Sequence, residues 1–124
     1  HPHHTQDQRD IYWLELHAKF GPDVSWEGLE SPRTKLWHRQ LHLFEVPFYY
    51  IEYGIAQLGA LQMWMIYRED PKRAIELYRS ALQLGGSRPL PELFESAGLV
   101  FDFSPAIIER LLGEVETELA SLPA

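Results

Sequence analysis

The chain has 124 residues, which is the length of one domain or of a piece of a larger one. Its formal charge of −7, from 11 Lys and Arg against 18 Asp and Glu, argues against a nucleic-acid partner because phosphate binding needs clustered cations. The chain has no cysteine, which excludes disulfides and thiolate catalysis and fits a reducing compartment, so we expect a cytoplasmic protein.

The first helix is marked by a capping box. Thr5 is followed three residues later by Gln8, and the two can satisfy each other's backbone N–H groups. The helix predicted from this start runs to about Phe20. Its apolar stripe consists of Ile11, Leu14 and His17 or Ala18, and Trp13 and Leu16 widen it.

A second helix start is marked by Ser31 and Pro32, an N-cap residue followed by proline at the first helical position. The helix predicted from there reaches His42 and carries His38 one turn earlier. Pro47 disfavours helical geometry at the residue before it, so a break should follow this helix.

The longest apolar stretch comes after this break. Residues 48–67 contain one charged side chain, Glu52, and two amides, Gln57 and Gln62. A helix that is apolar nearly all round is buried in a sizeable protein or spans a membrane. We favour a buried central helix, because a membrane span would enclose the glutamate and both glutamines.

Three further helices follow, each with a clear start. Asp70 and Ser104 are N-cap residues followed by proline, and they open helices predicted over 71–84 and from 105 to about 121. A short helix is predicted over 91–97. No segment has the pattern of a strand. The predicted fold class is therefore all-α, with about five to six helices around the long apolar central helix.

Four imidazole or phenol side chains lie within twelve residues at the entry to the central helix: His42, Tyr49, Tyr50 and Tyr53. Aromatic residues at helical spacing usually serve packing, but a buried phenol also needs a hydrogen-bond partner. Tyr50 and Tyr53 would share one face of a helix, and two converging neutral donors suit an oxyanion or a peptide carbonyl. The residues alone leave a binding or catalytic site and simple packing both open.

A metal site within this chain is not expected. His38 and His42 have the spacing of two ligands on one helix, but the zincin motif requires glutamate directly after the first histidine, where this chain has Arg39. No third ligand is evident, so His38 is interpreted as a structural or surface residue. The serines lie in loops, caps, turns and helix ends, which gives nucleophilic catalysis little support.

Two segments resemble the C-terminal part of the oligoendopeptidase F and thimet oligopeptidase family of zinc metallopeptidases: HLFEVPFYYIEYGIAQLGAL at 42–61 and ALQLGGSRPLPELFESAGLVFDFSP at 81–105. The resemblance extends over nearly the whole chain. It implies that residues 1–124 are the C-terminal helical part of a catalytic domain. In that family zinc is held by H-E-x-x-H and a downstream glutamate, all preceding this segment, so the fragment is expected to bind no zinc itself.

The resemblance also implies a function and roles for the four side chains. The parent protein would be a zinc-dependent peptidase acting on short peptides, and the fragment alone would be inactive. His42, Tyr50 and Tyr53 match residues that hydrogen-bond the substrate and the tetrahedral oxyanion, and Tyr49 is a candidate for substrate binding. The resemblance does not distinguish an endopeptidase from a carboxypeptidase.

The alternative hypothesis is a stand-alone helical interaction domain without catalysis. The sequence begins without methionine, and we expect it to be a segment of a longer one. The partners expected under the first hypothesis are a short peptide substrate and the rest of the catalytic domain, with no nucleic acid and no membrane. Self-association of the isolated segment is also expected, because surfaces meant for the absent domain would be exposed.

Overall fold

The structure, a computed structural model, describes residues 3–21 and 23–123, which contain helices and no strand. The seven α-helices of these residues are α1 (Gln6–Phe20), α2 (Glu30–Thr34), α3 (His42–Glu45), α4 (Ile51–Glu69), α5 (Pro71–Leu84), α6 (Leu90–Ser96) and α7 (Pro105–Ser121), and a 3₁₀ helix spans Leu36–Arg39. The all-α prediction is confirmed. The chain divides into two compact units, His1–Tyr50 and Ile51–Ala124, and each is described by itself.

The first helix begins as predicted and packs with part of its predicted face. The Gln8 N–H donates to Thr5 Oγ1 at 3.3 Å, and the Thr5 N–H donates to Gln8 Oε1 at 2.9 Å, which completes the capping box. Trp13, Leu14 and His17 are half-buried on the helix face that also carries the buried Asp10, whereas Ile11 and Leu16 are more than half exposed. The packed face of α1 is therefore narrower than predicted and includes one carboxylate.

The predicted second helix, from Pro32 to His42, is broken into α2, the 3₁₀ helix and α3. Its predicted start is also wrong, because α2 begins at Glu30 and Ser31, the expected N-cap, lies inside the helix. Asp10 accepts hydrogen bonds from Lys35 Nζ and from Trp37 Nε1, the latter at 2.8 Å. Residues two apart do not share a face of an α-helix, so both side chains can reach one carboxylate only where the α-helical path is interrupted. This break accounts for a helix count above the expected five to six. The break predicted before Pro47 is confirmed, since α3 ends at Glu45.

The second unit contains α4 to α7, and its local start signals are confirmed. Asp70 Oδ1 accepts from the Arg73 N–H at 3.0 Å, and α5 begins at Pro71 and ends at Leu84 as predicted. The last helix, α7, begins at Pro105. The buried side chains and the buried glycine of this unit are Gly59, Ala74, Phe94, Ala97 and Leu111.

The long helix α4 is less buried than its composition predicts. It begins at Ile51 after a turn, and Gly59 is its one buried position. Within the second unit α5 and α7 pack against α4 and leave much of its apolar surface exposed. The expectation of a helix buried on most sides is therefore wrong for this chain. None of the described helices is both long and apolar enough to cross a membrane.

An extended segment, residues 99–104, connects α6 to α7 and is tied to α4 by one side chain. The Val100 N–H donates to Gln62 Oε1 at 2.8 Å, and Gln62 Nε2 donates to the Val100 carbonyl at 3.0 Å. The ring of Phe101 meets the edge of Phe94, with centroids 5.1 Å apart. These contacts hold the segment in place without a neighbouring strand.

Candidate functional site

Three of the four side chains identified in the sequence form one group in the first unit. We call His42, Tyr49 and Tyr50 the aromatic cluster. The Tyr49 ring stacks on the His42 ring, with centroids 5.4 Å apart and planes 18° apart. The Tyr50 ring meets His42 edge to face, with a centroid distance of 5.1 Å. His42 is half-buried, whereas both tyrosines are exposed, so the cluster is accessible to a ligand.

A tight turn brings the tyrosines back onto the histidine. α3 is a single short helix that ends before Pro47, and the Tyr49 N–H donates to the Val46 carbonyl at 3.1 Å. Phe48 lies at φ 69°, in the left-handed region that a residue with a side chain rarely adopts. Its side chain is 95 % exposed, so no packing within this chain compensates for that backbone conformation. Strained backbone of this kind is concentrated at functional sites.

Gln40 extends the cluster and was not identified from the sequence. The Tyr50 hydroxyl donates to Gln40 Oε1. The Gln40 N–H donates to the Trp37 carbonyl at 3.1 Å, and the Gln40 carbonyl accepts from the Leu43 N–H at 2.9 Å. The amide that contacts Tyr50 therefore projects from backbone that is hydrogen-bonded on both sides. An ordinary glutamine two residues before a histidine gives no local signal of this contact.

Asp10 holds in place the segment that carries Gln40. Hydrogen bonds from Lys35 and then from Trp37 hold the pKa of the Asp10 carboxyl below its ordinary value, against the opposing effect of desolvation. The Trp37 ring stacks on Phe44 of α3 at 5.8 Å, and the Arg9 guanidinium lies 5.6 Å from the Trp37 centroid. Asp10 thus anchors both the 3₁₀ helix and, through Trp37, the helix that begins with His42.

Tyr53 lies in the second unit, in the first turn of α4, and its side chain is exposed. The premise that Tyr50 and Tyr53 share one helix face is wrong, because Tyr50 belongs to the turn that precedes α4. The first unit therefore brings together His42, Tyr49 and Tyr50, whereas Tyr53 belongs to the second unit.

His38 and His42 do not pair as metal ligands. They belong to different helices, and the exposed His38 ring packs edge-on against Trp37 at 4.1 Å. Over residues 3–21 and 23–123 no three His, Cys, Asp or Glu side chains are grouped so that they could hold a metal ion. The imidazole and phenol groups of the aromatic cluster can donate hydrogen bonds.

Comparison with known proteins identifies the family. Residues 1–112 match the sequence model of peptidase family M3. The chain belongs to peptidase family M3. A solved structure described as PZ peptidase A with inhibitor 2 is similar to the chain, with a TM-score of 0.84 and 33 % sequence identity. The alignment covers 93 % of this chain and 21 % of that one. No curated protein matches the chain.

Membership of the M3 family confirms the broader part of the resemblance, namely that the chain belongs to a peptidase family. The narrower assignment to oligoendopeptidase F stays a prediction. The chain spans about a fifth of the PZ peptidase A chain to which it is similar.

The second unit carries an apolar groove that is chemically unlike the aromatic cluster. It has a volume of about 650 Å³ and lies among α4, α5 and α6. The side chains of its walls include Met63, Leu93 and Phe94, and small residues such as Ala56 and Ala60 open its α4 side. Apart from the Tyr78 hydroxyl its lining side chains are apolar, so the groove suits apolar packing and not proton transfer or oxyanion binding.

Proposed function

We propose that this chain is the C-terminal helical part of the catalytic domain of a zinc metallopeptidase that hydrolyses peptide bonds in short peptides. The observation that carries the proposal is the convergence of His42, Tyr49 and Tyr50 in a chain of the M3 family. The segment at 42–61 further supports an enzyme of the oligoendopeptidase F type. We also propose a cytoplasmic location, since the chain lacks cysteine.

The proposed role of the cluster is to bind the peptide and stabilise charge. Attack on a peptide carbonyl moves negative charge onto its oxygen, and preorganised neutral donors stabilise that charge more than they stabilise the ground state. Within the cluster, Tyr50 supplies a phenolic O–H donor and His42 supplies an imidazole N–H. We propose Tyr53, in the second unit, as a further O–H donor to the substrate. The Tyr49 ring stacks on His42 and so holds the imidazole plane, and we propose that Tyr49 also contacts the substrate.

Zinc is the cofactor that the resemblance implies, and the residues that the structure describes do not form a site for it. The described side chains contain no group of three metal ligands, and the sequence lacks H-E-x-x-H. We propose that the ion is held by residues outside this chain. The roles assigned to the aromatic cluster are hydrogen bonding and stacking, which require no metal ligand from this segment.

The rest of the catalytic domain is the proposed partner of the exposed apolar surface. The groove among α4, α5 and α6 and the exposed side of α4 would be covered by helices of that domain. The alternative, a stand-alone interaction domain, also uses an apolar groove, but it assigns no role to the clustered imidazole and phenol groups. We therefore retain the peptidase as the proposal.

The proposal is tested in the full-length peptidase with Tyr53→Phe and Tyr50→Phe. Each variant removes one O–H donor and keeps the ring, so kcat should fall about 10²- to 10³-fold, as when one oxyanion donor is removed, while KM changes little. Tyr67→Phe is the matched control, because Tyr67 is an exposed tyrosine near the far end of α4. Unchanged kcat in both test variants would show that the tyrosines have no catalytic role.

The reaction class is tested by cleavage of a quenched-fluorescence short peptide with and without a zinc chelator. Chelator-sensitive cleavage by the full-length protein and none by the 124-residue segment is the expected result. Absence of cleavage by the full-length protein would favour the interaction domain instead.

A further inference from the structure

We propose that Gln40 is a positioning residue for the Tyr50 hydroxyl, an inference that rests on the proposed peptidase function. The direct observation is that the Tyr50 hydroxyl donates to Gln40 Oε1. A phenol has one proton, so the acceptor of that proton fixes the direction of the O–H bond. Gln40 therefore determines how Tyr50 presents its hydroxyl beside His42.

Gln40 is the fixed partner of this pair. Its N–H and its carbonyl are both hydrogen-bonded, to Trp37 and to Leu43, and Asp10 holds the preceding segment through Trp37. Tyr50 instead lies in an exposed turn that contains a residue at positive φ. Because Gln40 lies on an anchored segment, its side chain can orient the side chain of Tyr50 on the strained turn. The turn, by contrast, could do little to orient Gln40.

The chemistry of the acceptor determines when the Tyr50 hydroxyl gives up its hydrogen bond to Gln40. A glutamine amide oxygen and a substrate peptide carbonyl are acceptors of the same class, so exchanging one for the other gains little for a bound ground-state substrate. Hydrogen bonds to an ionised acceptor are roughly twice as strong as those between neutral groups. The Tyr50 hydroxyl therefore exchanges its hydrogen bond to Gln40 for one to the substrate oxygen when that oxygen becomes an oxyanion. Gln40 thereby makes the hydrogen bond from Tyr50 to the substrate specific for the transition state.

The kinetic test uses the full-length peptidase with Gln40→Met, Tyr50→Phe and the double variant. Methionine keeps the length of glutamine and removes the acceptor. We expect Gln40→Met to lower kcat about 3- to 10-fold, the factor equivalent to one neutral hydrogen bond. In the Tyr50→Phe background the same substitution should cause no further loss, because the group it positions is already absent. An equal loss in both backgrounds, or no loss in the first, overturns the proposal.

A charged acceptor provides a second kinetic test. Gln40→Glu keeps an acceptor oxygen at the same distance along the side chain but makes that acceptor ionised, so it should hold the Tyr50 O–H against the developing oxyanion and leave kcat as low as in Gln40→Met or lower. A glutamate variant with the kcat of the parent enzyme would overturn the specificity for the transition state assigned to Gln40.

A second readout does not depend on activity. With ¹³Cζ-labelled tyrosine, the Tyr50 resonance is assigned by its loss in Tyr50→Phe, and it should shift in Gln40→Met but not in Gln83→Met, a control on α5. An unmoved Tyr50 resonance overturns the contact itself. Full activity of Tyr50→Phe with a shifted resonance instead overturns the catalytic role of Tyr50, and with it the specificity for the transition state assigned to Gln40.

Discussion

Replacing two glycines of α4 by alanine should have opposite effects on stability. Gly54 and Gly59 both lie within the helix, where alanine is favoured over glycine by about 1 kcal/mol. A Cβ added at Gly54 meets no heavy atom within 4 Å, so Gly54→Ala should stabilise the chain by about 1 kcal/mol. The two sites therefore differ in their surroundings and not in their helical propensity.

At Gly59 the new methyl group meets a fixed ring. Its Cβ would lie 3.0 Å from Cζ and 3.3 Å from Cε1 of Phe94. Phe94 is only 8 % exposed, and Phe101 abuts it with a centroid distance of 5.1 Å, so the ring can give way only towards the groove that it lines. Overpacking of this kind costs about 1 to 3 kcal/mol, which outweighs the gain in propensity. We expect Gly59→Ala to destabilise the chain by about 1 kcal/mol, the difference between overpacking and propensity.

Urea denaturation followed by far-UV circular dichroism measures both variants against the parent chain. The expected separation between them is about 2 kcal/mol, the sum of the two opposite effects. Phe94→Leu provides a further control, because leucine lacks the two ring atoms that the methyl group added by Gly59→Ala would meet. In that background Gly59→Ala should become neutral or stabilising. The packing argument is refuted if Gly59→Ala stabilises the Phe94 chain as much as Gly54→Ala does.

Two further predictions concern side chains that hold each unit together. Because hydrogen bonds lower the pKa of Asp10 below its ordinary 3.8, its ionised form stabilises the fold above that pH, and the stabilisation is lost as the pH falls through the lowered pKa. Asp10→Asn should therefore lower the free energy of unfolding at pH 7, and its deficit should shrink at pH 3. Gln62→Met removes both hydrogen bonds to Val100 and should destabilise the chain by about 1 to 3 kcal/mol, from about 0.5 to 1.5 kcal/mol for each bond.

Both predictions have internal controls. For Asp10, urea titrations at pH 7 and pH 3 compare the variant with the parent chain, and a deficit independent of pH would contradict the ionic explanation. For Gln62, the control is Gln57→Met, at an exposed position of the same helix. Equal losses at the two glutamines would mean that the tie to Val100 contributes nothing specific.

Local signals in the sequence predicted the starts of α1 and α5 correctly, whereas the N-cap predicted at Ser31 lies inside α2. The capping box of Thr5 and Gln8 and the N-cap of Asp70 each depend on hydrogen bonds that span three residues, so the sequence contains all the information needed. The second helix was predicted wrongly because Asp10, far away in the chain, binds side chains two residues apart. The burial of α4 was overestimated for a related reason. Composition indicates that a helix has apolar surface to bury, but it does not show which segment covers that surface.

The same contrast between local signals and contacts formed only in the fold applies to the candidate site. His42, Tyr49 and Tyr50 were selected from their chemistry and from a family resemblance, and the structure brings them together. Gln40 was missed because its contact with Tyr50 depends on the turn at 46–50, whose left-handed Phe48 no local rule anticipates for phenylalanine. Tyr53 was placed on a common face with Tyr50 by assuming that the helix began earlier than it does.

The exposed position of Phe48 makes the cluster accessible to spectroscopy. Its side chain projects almost entirely into solvent, one residue from Tyr49, and the chain contains no cysteine. Phe48→Cys therefore introduces a single thiol in this segment, to which a small fluorophore can be attached beside the rings without displacing any packed group. Such a label would report arrival of a peptide at His42 and Tyr50 directly, independently of whether the peptide is cleaved.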